Sequence, residues 1–277
     1  MKSPWLVIDV SNLAYRAFHA MKGQLSHGGD ATEVVFGVFR DIIELRDLWT
    51  PKGFVFCFDG GYIHRTKILP EYKAERKAKK DRLSPEERVL RRDLAKQVDL
   101  LRNEYLPRIG FANILWQDGV EADDLIAEVC WGWRPAVIVS SDQDLWQLLF
   151  QDEVVIWNPM TKLLLNESEF IEKWGIPPNQ WADVKAISGC KTDGVVGIEG
   201  VGEVGASQFI AGTLAVNSKK AVSIVRNVEL WKKNLKVTKL PGPWTNEVEL
   251  VPDEINRHDW NEVMNELGMR SFVGEMA

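Results

Sequence analysis

The sequence predicts an α/β fold in which a mostly parallel central sheet is flanked by helices. Three short runs of β-branched and aromatic residues are typical of buried parallel strands, at residues 5–8, 53–58 and 136–141. Each run is followed directly by an aspartate, namely Asp9, Asp59 and Asp142. Because ligands bind beyond the carboxyl ends of strands in open α/β sheets, we expect these acids to share one crevice.

The first elements follow from the order of apolar patterns along the chain. Residues 5–9 form the first strand, and DVSNLAYRAFHAM turns into a helix. Residues 32–49 form the next helix, because apolar residues recur there at helical spacing. The second strand lies at residues 53–58, and the stretch from residue 60 to residue 80 is polar and basic.

A long helix is predicted to begin after Ser84. Ser84 can serve as its N-cap, Pro85 fits the first helical position, and Glu87 completes a capping box. We expect this helix to end at about Leu106, before Pro107.

Strand patterns become rare after residue 166, and helical patterns dominate the rest of the chain. This change predicts an α/β domain of residues 1–184 and a helical subdomain of residues 185–277. The remaining predicted elements are strands at 111–115, 136–141 and 154–158, and helices at 119–133, from residue 144, at 166–176, within 185–212 and at 258–272.

The composition is that of an ordinary globular protein. The 277 residues are 45% hydrophobic and 27% charged. No apolar stretch approaches the ~20 residues of a membrane span, so we expect no membrane association. The N-terminus does not resemble a signal peptide, and the cysteines are few and widely spaced. We therefore expect a cytoplasmic protein.

The net charge of −6 is unevenly distributed. Residues 64–92 contain eleven Lys or Arg against five Asp or Glu, a net charge of +6 that leaves −12 on the remainder. A basic segment on an acidic protein suggests a local contact with an anion, although a solvated helix face has the same composition.

Two further groups of acids accompany the strand ends. Glu121, Asp123 and Asp124 open the helix at 119–133, which is more acid than helix capping needs, and Asp144 lies two residues after Asp142. Such a set of carboxylates, with no neighbouring histidine, suggests two divalent ions that promote cleavage of a phosphodiester.

Several segments together resemble the flap endonucleases and 5′→3′ exonucleases, particularly the phage and bacterial branch. The resemblance implies a PIN-like fold, a helical arch at about residues 64–106, and a helix-hairpin-helix loop in the C-terminal subdomain. It also implies Mg²⁺- or Mn²⁺-dependent hydrolysis of a DNA or RNA strand near its 5′ end. The matching segments occur in the family's order: VIDVSNLAYRAFHAM, VFCFDG, LPEYKAERK, GVEADDLIAEV, VSSDQDLWQLL and GVVGIEGVGEVGA.

The resemblance assigns roles to individual positions. Asp123, Asp124 and Asp142 resemble the inner metal ligands, and Asp142 is also expected to be catalytic. Lys73 and Arg76 are expected to contact the scissile phosphate and offset its charge in the transition state. The full set of implied metal-site acids is Asp9, Asp59, Glu121, Asp123, Asp124, Asp142, Asp144 and Asp193.

The implied DNA contacts lie in the arch and in the glycine-rich loop. Tyr72 matches a position where an aromatic ring can stack on a base, and Arg65 would contribute to a nonspecific basic surface. Gly200 and Gly202 would let the loop backbone approach a phosphate. The carbonyls that match a K⁺ site in the family are those of Gly197, Ile198 and Val201.

One position departs from the family pattern. Cys190 stands where the family has an acid that binds the second metal, and a thiol is a poor ligand for Mg²⁺. The main prediction is a structure-selective 5′ nuclease that leaves 5′-phosphate and 3′-hydroxyl ends, acts in replication or repair such as primer removal, and is a monomer. Its substrates would be DNA with a 5′ single-stranded end or flap, with RNA–DNA primers as a further candidate. Two alternatives stay open: a DNA-binding protein of this fold with weakened catalysis, and a phosphatase or phosphotransferase.

Overall fold

A six-stranded sheet lies at the centre of the computed structural model, which describes residues 3–276. A separate small hairpin precedes the second helix. The strands are β1 Trp5–Asp9, β2 Ser26–His27, β3 Asp30–Ala31, β4 Gly53–Cys57, β5 Asn113–Leu115, β6 Ala136–Val139, β7 Val154–Asn158 and β8 Leu163–Leu165, of which β2 and β3 form the hairpin.

Helices connect the strands and make up most of the chain after β8. The α-helices are α1 Val10–Met21, α2 Glu33–Trp49, α3 Ile63–Ile68, α4 Ala74–Asp81, α5 Pro85–Leu100, α6 Leu106–Ile109, α7 Ala122–Gly132, α8 Glu167–Trp174, α9 Trp181–Ser188, α10 Glu203–Ile210, α11 Lys219–Arg226, α12 Val228–Thr238 and α13 Arg257–Glu266. Short 3₁₀ turns occur at Gln143–Leu148, Pro178–Gln180, Lys191–Asp193 and Arg270–Phe272.

The strand order of the sheet is β5-β4-β1-β6-β7-β8. The first five strands in this order are parallel, and β8 is antiparallel to β7. The chain passes from β1 to one side of the sheet through β4 and β5, and it then returns to the other side at β6. The carboxyl ends of β1, β4 and β6 therefore meet at a switch point, where ligands bind in such sheets.

The two faces of the sheet bury separate apolar cores, because neighbouring strand residues point to opposite faces. Ile8 and Phe56 pack with α1 and α2 on one face, whereas Val7, Val55 and Ile138 pack with α7 and α9 on the other. This arrangement confirms the predicted α/β fold with a mostly parallel sheet flanked by helices. Across residues 3–276, no helix combines the length and apolar character that a membrane crossing requires.

The C-terminal helix is placed differently from the prediction. Trp260 of α13 is fully buried against Phe39 of α2, with the ring centroids 5.4 Å apart. Residues 257–276 thus pack on the first core, and the predicted grouping of all of 185–277 into one helical subdomain is wrong for this last segment. The reason is the apolar face of α13, which Trp260, Val263 and Met264 provide.

The segment that the resemblance predicts to be an arch folds into α3, α4 and α5, which we call the arch, and the start of α5 agrees with the sequence pattern. Ser84 Oγ accepts a hydrogen bond from Glu87 N at 3.2 Å, and Glu87 Oε2 accepts one from Ser84 N at 2.8 Å, which confirms the predicted capping box. The helix does not stop at Leu106. A π-helical turn at Leu101–Tyr105 leads into α6, whose first turn accommodates Pro107 because its missing N–H would be unpaired there.

Candidate active site

An acidic crevice of about 660 Å³ lies over the carboxyl ends of β1, β4 and β6. It combines acids from separate parts of the chain with two basic side chains from the arch, Lys73 and Arg76. The acids that line it are Asp9, Asp59, Glu121, Asp123, Asp142 and Asp193. The expectation that acids at the strand ends share one crevice is therefore correct.

Asp9 is the most deeply placed of the acids from the strand ends, with 6% of its surface exposed. It is both the last residue of β1 and the N-cap of α1, so Oδ1 accepts a hydrogen bond from Asn12 N at 3.0 Å. Its Oδ2 accepts one from Ser140 Oγ at 2.9 Å. Burial and the neighbouring Asp59 carboxylate raise the pKa of Asp9 to about 7.

Asp59 and Asp142 are exposed at the rim of the crevice. Asp59 accepts hydrogen bonds from Ser11 Oγ at 2.5 Å and from Ala122 N at 2.9 Å, which tie the end of β4 to α1 and α7. Asp142 Oδ1 caps the following 3₁₀ turn through Asp144 N at 2.8 Å.

Asp123 projects into the crevice from the first turn of α7. Burial, followed by the charges of Asp142 and Asp9, raises the pKa of Asp123 well above its usual range. Like charges that are held together in this way favour the binding of a cation or of protons.

The donor set of this group fits a hard divalent cation. Asp9, Asp59, Asp123 and Asp142 make no salt bridge with any residue between 3 and 276, so no protein cation is paired with them. All their ligand atoms are oxygens, which Mg²⁺ and Mn²⁺ prefer. In the described chain no three of these acids offer oxygens within 4.8 Å of one another, so at most two of them are close enough to bind one ion directly in this arrangement.

Glu121 has a different environment from the other acids. Its Oε2 accepts hydrogen bonds from Arg65 Nη1 at 2.8 Å and from Tyr72 Oη at 3.0 Å, and its Oε1 pairs with Lys73 Nζ. Both carboxylate oxygens are thus engaged by the arch. Glu121 positions Lys73 at the crevice, and this charge raises the pKa of Lys73 despite its burial.

Asp124 does not face the crevice, and its predicted role as an inner metal ligand is wrong. The residue is fully buried on the inner side of α7, where its two oxygens accept hydrogen bonds from Arg65 Nη1 at 2.5 Å and Nη2 at 2.9 Å. Gly242 N also donates to Asp124 Oδ1, at 2.8 Å. Because Asp123 and Asp124 are adjacent on a helix, their side chains point in directions about 100° apart.

Arg65 and Tyr72 are likewise misassigned by the sequence reasoning. Arg65 is 3% exposed, and besides its carboxylate partners its Nε donates to the carbonyl of Val237 at 2.9 Å. Tyr72 is 6% exposed, with its hydroxyl directed to Glu121. Neither side chain is accessible to nucleic acid. Both join the base of the arch to α7 and to the end of α12.

Arg76 reaches the crevice from α4, as predicted. Its Nη2 lies 2.7 Å from Asp193 Oδ1, and Lys73 Nζ lies 3.8 Å from the same oxygen. Lys73 is the residue that precedes α4, and its left-handed backbone (φ 55°) allows its N–H to donate to Asp193 O at 2.8 Å. The base of the arch is therefore fixed to the loop that contains Asp193.

A second cluster lies beside the first and contains the unusual cysteine. Asp144, Cys190 and Asp193 each place a ligand atom within 4.8 Å of the other two. Lys185 Nζ lies 3.1 Å from Asp144 Oδ1. Burial and the charge of Asp142 raise the pKa of Asp144 to about 6, although Lys185 opposes this shift.

Some residues of the crevice were missed by the sequence reasoning. Tyr15 and His19 of α1 line the crevice with their rings stacked at 6.4 Å, and Tyr15 is 44% exposed. Both follow Ser11 at helical spacing, so the α1 pattern indicates their shared face. Lys185 was missed because its acidic partners are distant in the sequence.

The glycine-rich segment connects α9 to α10 and is shaped by close backbone contacts. A Cβ at Gly197 would lie 2.0 Å from the carbonyl oxygen of Ser188, so only glycine fits there. Gly200 and Gly202 are exposed, and Gly202 is the N-cap of α10. Ile198 and Val201 are buried, and Val201 N donates a hydrogen bond to Ile198 O at 3.0 Å.

The fold and the crevice together define an α/β nuclease. Residues 4–175 match the family model of the 5′-3′ exonuclease, N-terminal resolvase-like domain. The chain therefore belongs to the 5′-3′ exonuclease family.

Relatives of known name agree with this membership. A 5′-3′ exonuclease of Aquifex aeolicus is 29% identical over 294 residues, which cover 98% of this chain and 94% of that protein. DNA polymerase I of Pseudomonas aeruginosa is 32% identical over 216 residues, which cover 76% of this chain. The chain spans only 22% of that polymerase and 29% of the DNA polymerase I of Mycobacterium tuberculosis.

Solved structures show the same fold. The phage T5 5′-exonuclease with bound zinc ions has a TM-score of 0.70 at 22% identity, covering 86% of this chain and 89% of that one. The catalytic core of Rad2 in complex with DNA has a TM-score of 0.59 at 16% identity, covering 96% and 88%.

Proposed function

We propose that this protein is a structure-selective 5′ nuclease that hydrolyses phosphodiester bonds at or near DNA 5′ ends and flaps. The products are 5′-phosphate and 3′-hydroxyl ends. The observation that carries the proposal is a group of four carboxylates that have no cationic partner among residues 3–276 and lie beside the basic residues Lys73 and Arg76. The four are Asp9, Asp59, Asp123 and Asp142. An acidic crevice alone would repel a phosphate, whereas divalent cations together with these two side chains attract it.

Two positions for divalent ions follow from the donor sets. Asp9, Asp59, Asp123 and Asp142 would hold Mg²⁺ or Mn²⁺ at the first. Asp144, Cys190 and Asp193 would hold an ion at the second, where the thiol is a poor ligand for Mg²⁺. When bound, such ions supply Lewis acidity for activating water and for stabilising the leaving oxygen. The carboxylates would orient the ions, and Ser140 and Asn12 in turn hold Asp9 in place.

Lys73 and Arg76 hold the scissile phosphate. Lys73 is 14% exposed and its Nζ is fixed by Glu121, so its charge is preorganised at the edge of the crevice. Arg76 is 54% exposed and exchanges its contact with Asp193 for the phosphate. Tyr15, exposed on the crevice wall, offers a ring on which a terminal base stacks, the role that the buried Tyr72 cannot perform.

The single-stranded 5′ end passes along the arch. No residue of α4 is buried, so its lysines are free to contact backbone phosphates without reading sequence. A groove between α4 and α5 is lined by more cations, which extend this surface: Lys80, Arg88, Arg91 and Arg92.

The duplex part of the substrate binds at the α9–α10 hairpin. Gly200 and Gly202 are exposed at the start of α10, where backbone N–H groups can bind a phosphate. K⁺ coordination by the carbonyls of Gly197, Ile198 and Val201 would rigidify this turn. In this proposal residues 1–184 together with Asp193 supply the chemistry, and the helices between residues 185 and 238 supply most of the duplex contact.

The wider biological setting extends the same proposal. The protein acts as a monomer in the cytoplasm of a bacterial or phage-infected cell, in replication or repair such as primer removal. RNA–DNA primers are further candidate substrates, because the arch contacts would be made to phosphates common to both strands.

Asp142→Ala tests the proposed function directly. With a 5′-labelled flap substrate, we expect loss of cleavage in Mg²⁺ and in Mn²⁺ while binding in Ca²⁺ is retained. Lys52→Ala, an exposed change just before β4 at the end of the sheet opposite the crevice, serves as the control that keeps cleavage. Retained cleavage by Asp142→Ala would overturn the assignment of Asp142.

A second candidate is a DNA-structure-binding protein of this fold with weakened catalysis. The observation in its favour is Cys190, whose thiol occupies the second cluster in place of a carboxylate. Flap binding without any product over a full series of divalent ions would favour this candidate. Rapid cleavage in any of them would exclude it.

A further inference from the structure

Cys190 is held at the second cluster by its own backbone. Cys190 N donates to Val195 O at 2.9 Å and Val195 N donates to Cys190 O at 3.0 Å, which closes the loop around Asp193. The Cys190 Sγ atom lies 3.5 Å from Asp193 Oδ2 and 3.1 Å from Thr192 Oγ1. The thiol therefore faces the carboxylates because the loop geometry places it there.

The cluster also contains space and an oxygen without a hydrogen-bond donor. A cavity of about 20 Å³ is lined by Asp123, Asp144, Cys190 and Asp193, which is room for one ion or one water. Asp193 is 8% exposed, and its buried Oδ1 accepts no hydrogen bond. Although Arg76 Nη2 is 2.7 Å from that oxygen, its approach is not aligned for a hydrogen bond.

The chemistry of these donors disagrees with a Mg²⁺ site. Mg²⁺ requires near-octahedral oxygen ligands, whereas one thiolate and two carboxylates suit a softer ion such as Zn²⁺. Nearby protein cations add to the disagreement, because Lys185 and Arg76 already compensate Asp144 and Asp193. A weakly bound hard ion would compete poorly with them, and a metal–thiolate bond adds an interaction that they cannot replace.

We propose that Asp144, Cys190 and Asp193 form a thiolate–carboxylate site that selects a thiophilic divalent cation of the Zn²⁺ class over Mg²⁺. The placement of this site beside a catalytic ion rests on the proposed nuclease function, but the binding itself does not. On binding, the metal–sulfur bond forms as the Cys190 thiol releases its proton to solvent.

Titration of the metal-free protein with Co²⁺, the spectroscopic substitute for Zn²⁺, tests this site. We expect a near-ultraviolet thiolate-to-cobalt band that saturates at one ion and is removed by added Zn²⁺ but not by an equal concentration of Mg²⁺. Cys190→Ser should abolish the band and weaken Zn²⁺ binding by about 10- to 100-fold. Because Cys57 and Cys130 are buried in the core and remain in this variant, a band that persists would overturn the proposal.

Cys190→Asp is the matched variant with an oxygen ligand. We expect it to lose the thiolate band and to bind Mg²⁺ at least about 10-fold more tightly than the wild type, as measured by competition with Mn²⁺. Mapping of alkylated cysteines by mass spectrometry gives a readout in the wild type alone, since Zn²⁺ should protect Cys190 from modification. Absence of both the band and the protection in the wild type would refute the site, whatever the folding of the variants.

Flap cleavage, measured in parallel, separates this proposal from the proposed function. Cleavage without a thiolate band would support the nuclease and reject the thiophilic site. A band without cleavage in any divalent ion would support the site and reject the nuclease.

Discussion

The adjacent acids Asp123 and Asp124 should respond in opposite ways to the same substitution. Asp123→Asn removes a carboxylate that faces the acidic crevice, whereas Asp124→Asn removes the buried partner of Arg65. The two changes are isosteric and one residue apart, so each is the other's control.

The structure sets the expected size of the stability effect. Asp124 is fully buried and accepts two hydrogen bonds from Arg65, which is itself 3% exposed. Breaking a buried pair by neutralising one partner costs about 3–5 kcal/mol. We therefore expect Asp124→Asn to lower the free energy of unfolding by that amount. Asp123→Asn should leave the free energy of unfolding of the metal-free protein unchanged or raise it, because it relieves repulsion by Asp9 and Asp142.

Urea unfolding in EDTA measures the free energy of unfolding of each variant. Electron paramagnetic resonance measures the affinity of each variant for Mn²⁺. Asp123→Asn should weaken Mn²⁺ binding at least about 10-fold. Asp124→Asn should leave the Mn²⁺ affinity close to the wild-type value, as measured without urea, where the variant is folded. If Asp124→Asn lost Mn²⁺ binding while keeping wild-type stability, the placement of Asp124 away from the metal would be refuted.

Three further predictions concern pH, the arch and the hairpin. The pKa of Asp9 is raised from 3.8 to about 7, so the folded metal-free protein keeps a proton that the unfolded chain releases. The free energy of unfolding should therefore fall as the pH rises from 4 to 7, by at most about 4 kcal/mol from Asp9 and further from Asp123 and Asp144, whose pKa values are also raised. Calorimetry in EDTA measures this fall, and a flat profile would contradict it. Lys73→Met should reduce kcat for flap cleavage by about 10²–10³ with little change in binding, whereas Lys52→Met, far from the arch, should change neither. A Lys73→Met rate near that of the wild type would exclude the phosphate contact. Gly197→Ala should lower the free energy of unfolding by about 1–3 kcal/mol, because the new Cβ would clash with the Ser188 carbonyl. Gly202→Ala should lower it by less than about 1 kcal/mol, because the space around its Cβ position is open. Equal losses of stability in the two variants would contradict the steric reasoning.

The sequence was sufficient to predict the sheet and the location of the crevice. Asp9, Asp59 and Asp142 follow strands whose apolar composition is unambiguous, and the carboxyl ends of parallel strands meet at one edge. The capping box at Ser84 is a local pattern, and it formed as predicted. These successes share one property, since each depends on residues close together in the chain.

The failures depend on contacts between distant residues. Arg65 lies in a basic, polar segment whose composition predicts an exposed side chain. In the structure α3 directs this side chain inward to Asp124, which is 59 residues away in the sequence. Tyr72 is buried for the same reason, because Glu121 binds its hydroxyl. The family resemblance predicts roles for these positions but not their environment, and it predicts Asp124 as a metal ligand together with its neighbour Asp123.

The sequence patterns also did not predict how the helix continues at Pro107 or where α13 packs. Pro107 was expected to end a helix, but the π-helical turn before it changes the register, so that a new first turn begins at Leu106. The packing position of α13 depends on the complementary surface of α2, which the sequence pattern of α13 alone does not show.

The central claim is that Asp9, Asp59, Asp123 and Asp142 act together as ligands of a divalent cation in the acidic crevice. The most direct measurement is a crystal structure of the protein soaked in Mn²⁺, with the ions located by anomalous scattering. We predict an anomalous peak within bonding distance of oxygens from at least two of these four carboxylates. Ordered crevice side chains with no peak among them, or with lysine or arginine side chains paired to them instead, would contradict the account.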